Sequence, residues 1–573
     1  MHLMYGSHPS TRDKGFIHVI SLYLPLGPSP MTTPLSIFFG RPILLSLLAN
    51  PLKKQTTTIN HHIMSHITLS LLLSLTELTL SHLFLPPLPI PPSYLLPLFL
   101  AHYLPLKFYS LFLHPFYFSP LRTLPTPGGN LPLLGQTLTL LRATSPVQTY
   151  VDWANRYPRA PFIRFLGLFH SEMVLVASPE AHKEVLMTHC YEFKKPDIMF
   201  IGDFVGMGLL FAEGGEHKIA RRRLNGVFGV GSVRRVMGGA DEKGTVNELY
   251  VKATIDVTGA TILGVDFLTS FRRVFQQPPL SALISFINLF LPIRRFLPIE
   301  ANLGYLRASA QLRRMTLDIV KNRVKELAQP DYRNPVSNGA DLLTMMLEGE
   351  MSLSKAGDKM TEDQITNELL TFIAAGHETS ANALLWASYV LAVHPDIQTR
   401  LRREITSHFE AGKTPTYEQL ESLVYLHNFC REILRRYCPA LMTFREALKD
   451  LTICGTFIPR GTVLLLLPAV ASRTAWVWGE DVDEFKPERW ENLAGTEADS
   501  PYAFGAFMHG PRICIGKQFA MVEFKVLVVE LVTRFEFGMT EELEGLGGRE
   551  PRTTNPGMGY VPAGGMRVKF RKI

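Results

Sequence analysis

Cysteine is scarce in this chain: Cys190, Cys430, Cys438, Cys454 and Cys514 are all there is in 573 residues. Five is an odd number, and no two of them sit at metal-site spacing. A disulfide framework and a zinc module are therefore excluded, and a reducing compartment is expected. Charged residues are also sparse, at 19% with a net charge of +7. The basic ones are scattered, with Arg221-Arg222-Arg223 the compact arginine triplet, and no recognition motif accompanies them, so nucleic acid is not expected as a partner. No self-similarity at a period of about 20 to 50 residues is present, which excludes a solenoid. A dinucleotide-binding fingerprint is missing too, so the chain is not expected to bind a nicotinamide dinucleotide itself. Apolar residues are abundant instead, at 46%, enough for a large core.

The composition changes near residue 120. Residues 67–85 (ITLSLLLSLTELTLSHLFL) are apolar over about the length of a bilayer span, interrupted by Glu77 and His82. A second apolar stretch runs from Tyr94 to Phe118, broken by Pro97 and Pro105 and carrying Lys107. The proline run PPLPIPP at 86–92 does not suit a buried core helix. Residues 64–120 are accordingly expected to form a membrane anchor of one or two segments, with Lys107 and Arg122 placing the downstream domain on the cytosolic side. No small-residue cleavage site comes after the first stretch, which argues against a signal peptide. Residues 1–63 show no sustained periodicity and are read as a dispensable extension, with Met64 a natural start. Pro125 to Gly129 and Leu131 to Gly135 make 121–135 a turn-rich hinge, and 136–573 read as one catalytic domain.

The run Phe507-Met-His-Gly510-Pro-Arg512-Ile-Cys514-Ile-Gly516 holds a thiolate between two glycines, with an arginine two residues upstream. Gly510 and Gly516 let the backbone bend close to a flat macrocycle. Arg512 suits a propionate, because a guanidinium matches a carboxylate bidentately. A lone cysteine is more often an inert core residue, but five such positions coincide by chance with a probability on the order of 10⁻⁴. This loop resembles the cysteine-ligand loop of the cytochrome P-450 haem-thiolate monooxygenases. In that family the cysteine is the iron ligand and its electron donation favours O–O cleavage. The resemblance implies that Cys514 holds iron and that Phe507 packs near the thiolate.

Other segments carry the same resemblance, which covers roughly residues 125–573. A helix is predicted over 362–393, capped at Thr361-Glu-Asp-Gln364 and stopped before His394-Pro395. Its centre, Ala375-Gly376-His377-Glu378-Thr379-Ser380, places small residues beside an acid and an alcohol. It is similar to the oxygen-activation helix of the family, where Thr379 would hydrogen-bond dioxygen and Glu378 would relay protons; by itself such a segment more often marks close helix packing. Glu432 and Arg435 share a helix face at i, i+3, and with Arg489 they match the family's structural Glu-x-x-Arg and Pro-x-Arg pair. Such pairs on a surface contribute little. Phe444-Arg445 reads as a strand, with Arg445 as an implied propionate ligand and 440–444 lining the substrate cavity. His217 and Arg221 fall on one helix face, match the aromatic-x-x-x-Arg helix and would reach the other propionate. Between Phe228 and Gly259 about one family helix is missing.

The expected fold is mainly α with a minor β-sheet component, the cytochrome P-450 fold with an N-terminal membrane anchor. The resemblance, closest in wording to fungal microsomal members of secondary metabolism, implies haem b (iron protoporphyrin IX), dioxygen, an NADPH-cytochrome reductase with cytochrome b5 as a second donor, membrane lipid and a lipophilic substrate. It implies the endoplasmic reticulum membrane, with the catalytic domain facing the cytosol. Two rivals remain: a haem-thiolate isomerase or dehydratase acting on peroxides, against which Thr379 and Glu378 argue, and a degenerate haem-binding membrane protein.

Overall fold

The computed structural model of the chain describes residues 18–22, 58–84, 90–196, 206, 208–226, 228–229, 274, 280–281, 284, 294, 296–329, 342–351, 360–409, 415–554, 559–563 and 565–573. The short interval expected after Phe228 lies outside these residues, as do half of Tyr191–Leu210 and most of Leu280–Leu297, two apolar stretches that the sequence marks as shaping the substrate's access path.

Two apolar helices come first, α1 (Thr58–Phe84) and α2 (Leu95–Phe108). α2 continues through wider π-helical turns at Tyr109–Phe118, where Pro115 interrupts the regular ladder. Pro92–Thr123 is, among the described residues, long and apolar enough to cross a membrane, and its apolar window is not buried against the protein. Its far end is clamped to the catalytic domain. Arg164 donates to the Pro115 carbonyl and to Glu172, and His170 bonds the Leu111 carbonyl at 2.7 Å through Nδ1 while accepting from the Leu133 amide at 3.0 Å.

The catalytic part is built around a long helix, α5 (Glu362–Val393). Its limits are set locally. Thr361 Oγ1 accepts from the Gln364 amide while Gln364 accepts from the Thr361 amide, closing a capping box, and His394-Pro395 ends it. Before it lie α3 (Gly214–Asn225) and α4 (Glu300–Leu327); after it come α6 (Pro395–His408), α7 (Val424–Arg436) and α8 (Lys517–Arg534). Trp386 of α5 is fully buried, stacks on Tyr437 at 4.3 Å and donates to the Tyr560 carbonyl at 2.8 Å. This joins α5 to the end of α7 and to the C-terminal segment.

The strands are few. β1 (His18–Leu22) lies in the N-terminal extension; β2 (Phe162–Leu166), β3 (Glu172–Val176), β4 (Phe193–Lys194), β5 (Thr443–Ala447) and β6 (Val463–Leu466) form one sheet in the order β2-β3-β6-β5-β4. β3 and β6 run parallel with Val174 opposite Leu464, and the other pairs are antiparallel. β7 (Phe535–Gly538) and β8 (Met566–Lys572) pair antiparallel, and β1 adds to the other edge of β8, His18 opposite Phe570. Helices dominate and sheet is minor, as the sequence reading expects. Residues 444–450 and 453–462 read in the sequence as a strand, a turn and another strand, whereas between β5 and β6 the chain makes a separate hairpin of Leu451–Ile453 and Thr456–Ile458.

Candidate active site

Behind the cysteine loop, Glu432 and Arg435 on α7 are both fully buried. Arg435 donates through Nε and Nη2 to the two carboxylate oxygens of Glu432 at 2.8 and 2.9 Å, and its remaining N–H groups reach the carbonyls of Ser472 and Val482, each at 2.9 Å. Arg489 Nε lies 3.3 Å from Glu432 Oε1, Trp490 Nε1 donates to Oε2 at 3.0 Å, and the Lys486 amide adds a fifth donor at 3.1 Å. The three residues singled out in the sequence thus meet in one buried network that ties α7 to the segment leading into the loop.

The cysteine loop turns through Gly510 at φ +71°, where a side chain would place its Cβ 2.1 Å from the Leu186 carbonyl oxygen. Only glycine fits there. Gly516 corrects the expectation of a second conformational glycine: its φ is −82°, which any residue adopts, and a Cβ would sit an ordinary 4.0 Å from Cys514 Sγ. What Gly516 supplies is an amide hydrogen bond to the thiol at the start of α8. The Cys514 amide donates to the Phe507 carbonyl at 2.8 Å, which pins the loop, while the Phe507 ring packs against the core. Cys514 is exposed as a residue, yet protein surrounds its sulfur: burial pushes the thiol up, partly countered by Gly516, Arg221 and Lys517.

Four segments bring cations together beside this loop. Arg445 on β5 is buried, with N–H bonds to Thr443 Oγ1 and the Phe444 carbonyl, and burial followed by the neighbouring Arg512 lowers it to about 10. Lys195, just after β4, is lowered to about 7 by burial and then by Arg445 and Arg512. His217 on α3 is lowered to about 4, again first by burial, and is a neutral ring bonded to the Tyr191 hydroxyl at 3.2 Å. Arg221, one turn on, donates to the Ile513 carbonyl and to Asn225. Arg512 does not stand free for a ligand: it already pairs with Glu213, which also accepts from the Lys195 amide at 3.1 Å, and donates to the Ala212 carbonyl at 3.0 Å. Arg512 Nε is nevertheless buried without a partner.

These residues fit a dianionic macrocycle. Gathering Lys195, Arg221, Arg445 and Arg512, half-buried to buried, around Glu213 leaves, among the described residues, an excess of positive charge that two propionates would offset. Lys195 and Glu213 were not singled out from sequence, and nothing local marks them; only the sheet and α3 bring them to Arg445 and Arg512.

On α5, Ala375 and Gly376 are exposed in the middle of a largely buried helix, and a Cβ at Gly376 would meet nothing within 4 Å. Thr379 Oγ1 donates to the Ala375 carbonyl at 2.7 Å. Glu378 is half-buried, and Gly559 packs so closely on this face that a Cβ there would fall 2.8 Å from Glu378 Oε1 and 2.2 Å from Asn382 Nδ2. Ser380 donates to Glu523 of α8 at 2.8 Å, which links the helix bearing Thr379 to the helix just beyond Cys514.

The profile of the cytochrome P-450 family matches residues 125–546. The chain belongs to the cytochrome P-450 family. Among its curated relatives are a cytochrome P-450 monooxygenase, FUM15, of Gibberella moniliformis, 30% identical over 551 residues that cover 81% of this chain and 90% of that one, and the monooxygenase sphH of Aspergillus fumigatus, 30% identical over 81% of this chain and 91% of that one. A ganoderic acid synthetase of Ganoderma lucidum is 29% identical over 74% of this chain and 89% of its own. As a cytochrome P-450 the protein is a monooxygenase that uses haem iron, dioxygen, an organic substrate and electrons from a reductase.

Proposed function

We propose that this cytochrome P-450 carries haem b with Cys514 Sγ as the iron ligand and inserts one oxygen atom into a lipophilic intermediate of fungal secondary metabolism. The observation that carries the reading is the gathering of Arg221, Arg445, Arg512 and Lys195 beside the Cys514 loop, on a scaffold that Ser380 and Glu523 tie to the open Ala375-Gly376 turn of α5. When bound, haem supplies the iron centre at which dioxygen is reduced and split. Arg445, Arg221 and His217 hold the propionates, His217 as a neutral N–H donor and the arginines as charges, and Arg512, engaged by Glu213 and Ala212, adds its charge and its one unpartnered N–H at Nε. Phe507, Gly510 and Gly516 shape the loop and keep water from the sulfur. Thr379 Oγ1 is positioned to deliver a proton on the Gly376 face, and Glu378 Oε1 to resupply it. Glu432, Arg435 and Arg489 hold the scaffold and touch no substrate.

The same reading places the protein at the endoplasmic reticulum membrane through residues 64–120, with its catalytic domain in the cytosol, residues 1–63 dispensable, and 121–135 joining anchor to domain. An NADPH-cytochrome reductase supplies electrons and cytochrome b5 serves as a second donor. Membrane lipid delivers the substrate. The relatives are named monooxygenases, which favours this reading over a peroxide isomerase or a degenerate protein.

The test is the reduced, carbon-monoxide-treated spectrum of membranes holding the full chain. A long-wavelength Soret band that Cys514→Ser abolishes is expected, together with products that require NADPH and reductase. Absence of the band in the unaltered protein, or turnover of a hydroperoxide without NADPH, overturns the proposal.

A further inference from the structure

The helices before residue 120 are packed inside out. A helix in water buries leucine and exposes serine. In α1, Ser70, Ser74 and Ser81 are 0%, 0% and 4% exposed, while Leu72, Leu75, Leu80 and Leu83 stand 44–66% exposed. The buried serines recur at the spacing of one helix face, and small polar residues at a helix contact with leucines outward is the arrangement lipid favours, since lipid tails solvate leucine as well as another helix does.

The partner of that face is α2. The Ile90 amide donates to Ser81 Oγ at 3.1 Å near the turn, and further along His102 Nε2 approaches Glu77 Oε1 to 3.1 Å, close enough for an ion pair though not aligned as a hydrogen bond, so the two helices run antiparallel. Of the hydroxyls that hydrocarbon could not solvate, Ser74, Thr76, Thr79 and Ser81 each donate to a carbonyl one turn back, at 2.7–2.8 Å, while Ser70 Oγ is buried without a hydrogen-bond partner. From Tyr94 to His102 the helix rises about 12 Å. The Glu77–His102 contact would then lie well inside a hydrocarbon core about 30 Å thick, where ionisable groups persist by facing each other.

A separate observation concerns the chain ahead of α1. β1 pairs along its length with β8 of the catalytic part, Leu22 opposite Met566. The stretch before α1 therefore lies on the same side as the catalytic domain.

We infer that the anchor is a helical hairpin crossing the bilayer twice, joined along the serine face of α1 and by Glu77 and His102, with the 85–91 turn on the far side and the chain before Thr58 on the catalytic side. This rests on the membrane attachment proposed above.

The natural sequence contains no Asn-x-Ser/Thr acceptor, so any glycan reports an inserted site. A flexible Gly/Ser insert carrying one acceptor is placed in the 85–91 turn of the full chain, and in a second version ahead of Thr58. Both are expressed in cells with an active glycosylation pathway, and the membranes are washed in alkaline carbonate. The expected result is a glycan on the turn site, none on the site before Thr58, and protein retained in the membrane. Glycans on both sites mean that α2 alone crosses, and overturn the hairpin. A retained protein with neither site modified means that the hairpin does not cross, and also overturns it. Release by carbonate with neither site modified refutes the membrane attachment itself.

Discussion

Replacing Glu432 with glutamine tests whether the buried network behind the cysteine loop holds the fold. The carboxylate accepts five hydrogen bonds at zero exposure, from Arg435 Nε and Nη2, Arg489 Nε, Trp490 Nε1 and the Lys486 amide. Glu432→Gln keeps the volume but removes the charge, and it turns one acceptor oxygen into an NH2 group facing other donors. Arg435 would keep its carbonyl partners Ser472 and Val482 while losing its counter-charge, and burial already disfavours its charged form. Breaking one side of a buried ion pair costs about 3–5 kcal/mol, against a total stability of about 5–15 kcal/mol for a typical domain. Asp483 provides the control. Its partners Arg436 and Arg473 are buried, but Asp483 itself is 68% exposed, Arg436 keeps Glu550 and Arg473 keeps Gln148, so Asp483→Asn should cost clearly less, about 1–2 kcal/mol. The assay is the reduced carbon-monoxide band per unit of chain, alongside the thermal midpoint in detergent. Glu432→Gln should lose most of the band and melt well below Asp483→Asn. If the two variants behave alike, the network does not carry the stability argued for it.

Gly510→Ala should abolish haem-loaded protein, because its Cβ would fall 2.1 Å from the Leu186 oxygen at a φ of +71°; a normal carbon-monoxide band would refute this. Arg445→Gln should weaken haem retention at least tenfold, read as loss of Soret absorbance in competition with apomyoglobin, since a desolvated guanidinium is replaced by a neutral amide. Thr379→Val should lower product by about tenfold or more while NADPH consumption continues, and Thr379→Ser should restore much of it. Glu368 on α5 is buried, accepts from the Leu209 amide at 2.9 Å, and is raised by burial to about 7. Between about pH 4.5 and 7 its folded form holds a proton that the unfolded chain has lost. Stability should therefore fall by about 3 kcal/mol as pH rises through that window. Glu368→Gln should flatten this part of the melting-temperature profile, and an unchanged slope would contradict the assignment.

Much of the site was legible because its signals are local. The helix over 362–393 is bounded by a capping box and by His394-Pro395, which act within a few residues. Glu432 and Arg435 share a face because one turn of helix separates them, and the Cys514 loop is contiguous. The sequence reading of Gly516 failed for a different reason: a glycine signals permission to bend, while its φ of −82° shows that no unusual bend is made. Lys195 and Glu213 escaped because they reach Arg445 and Arg512 only through the β4–β5 pairing and the start of α3, some 250 and 300 residues away along the chain. Gly559 carries no local mark either, since its need for glycine comes from Glu378 and Asn382 on another element.

The sequence by itself determined which residues can ligate, donate or bend, and the spans over which helices form, because backbone hydrogen bonding and residue spacing act within a turn or two. Tertiary structure decided what each charge faces: that Arg512 is paired with Glu213, that Lys195 is pushed down to about 7, and that the serines of α1 turn inward against α2. Burial and long-range pairing set those outcomes, and neither is a property of any local stretch of chain.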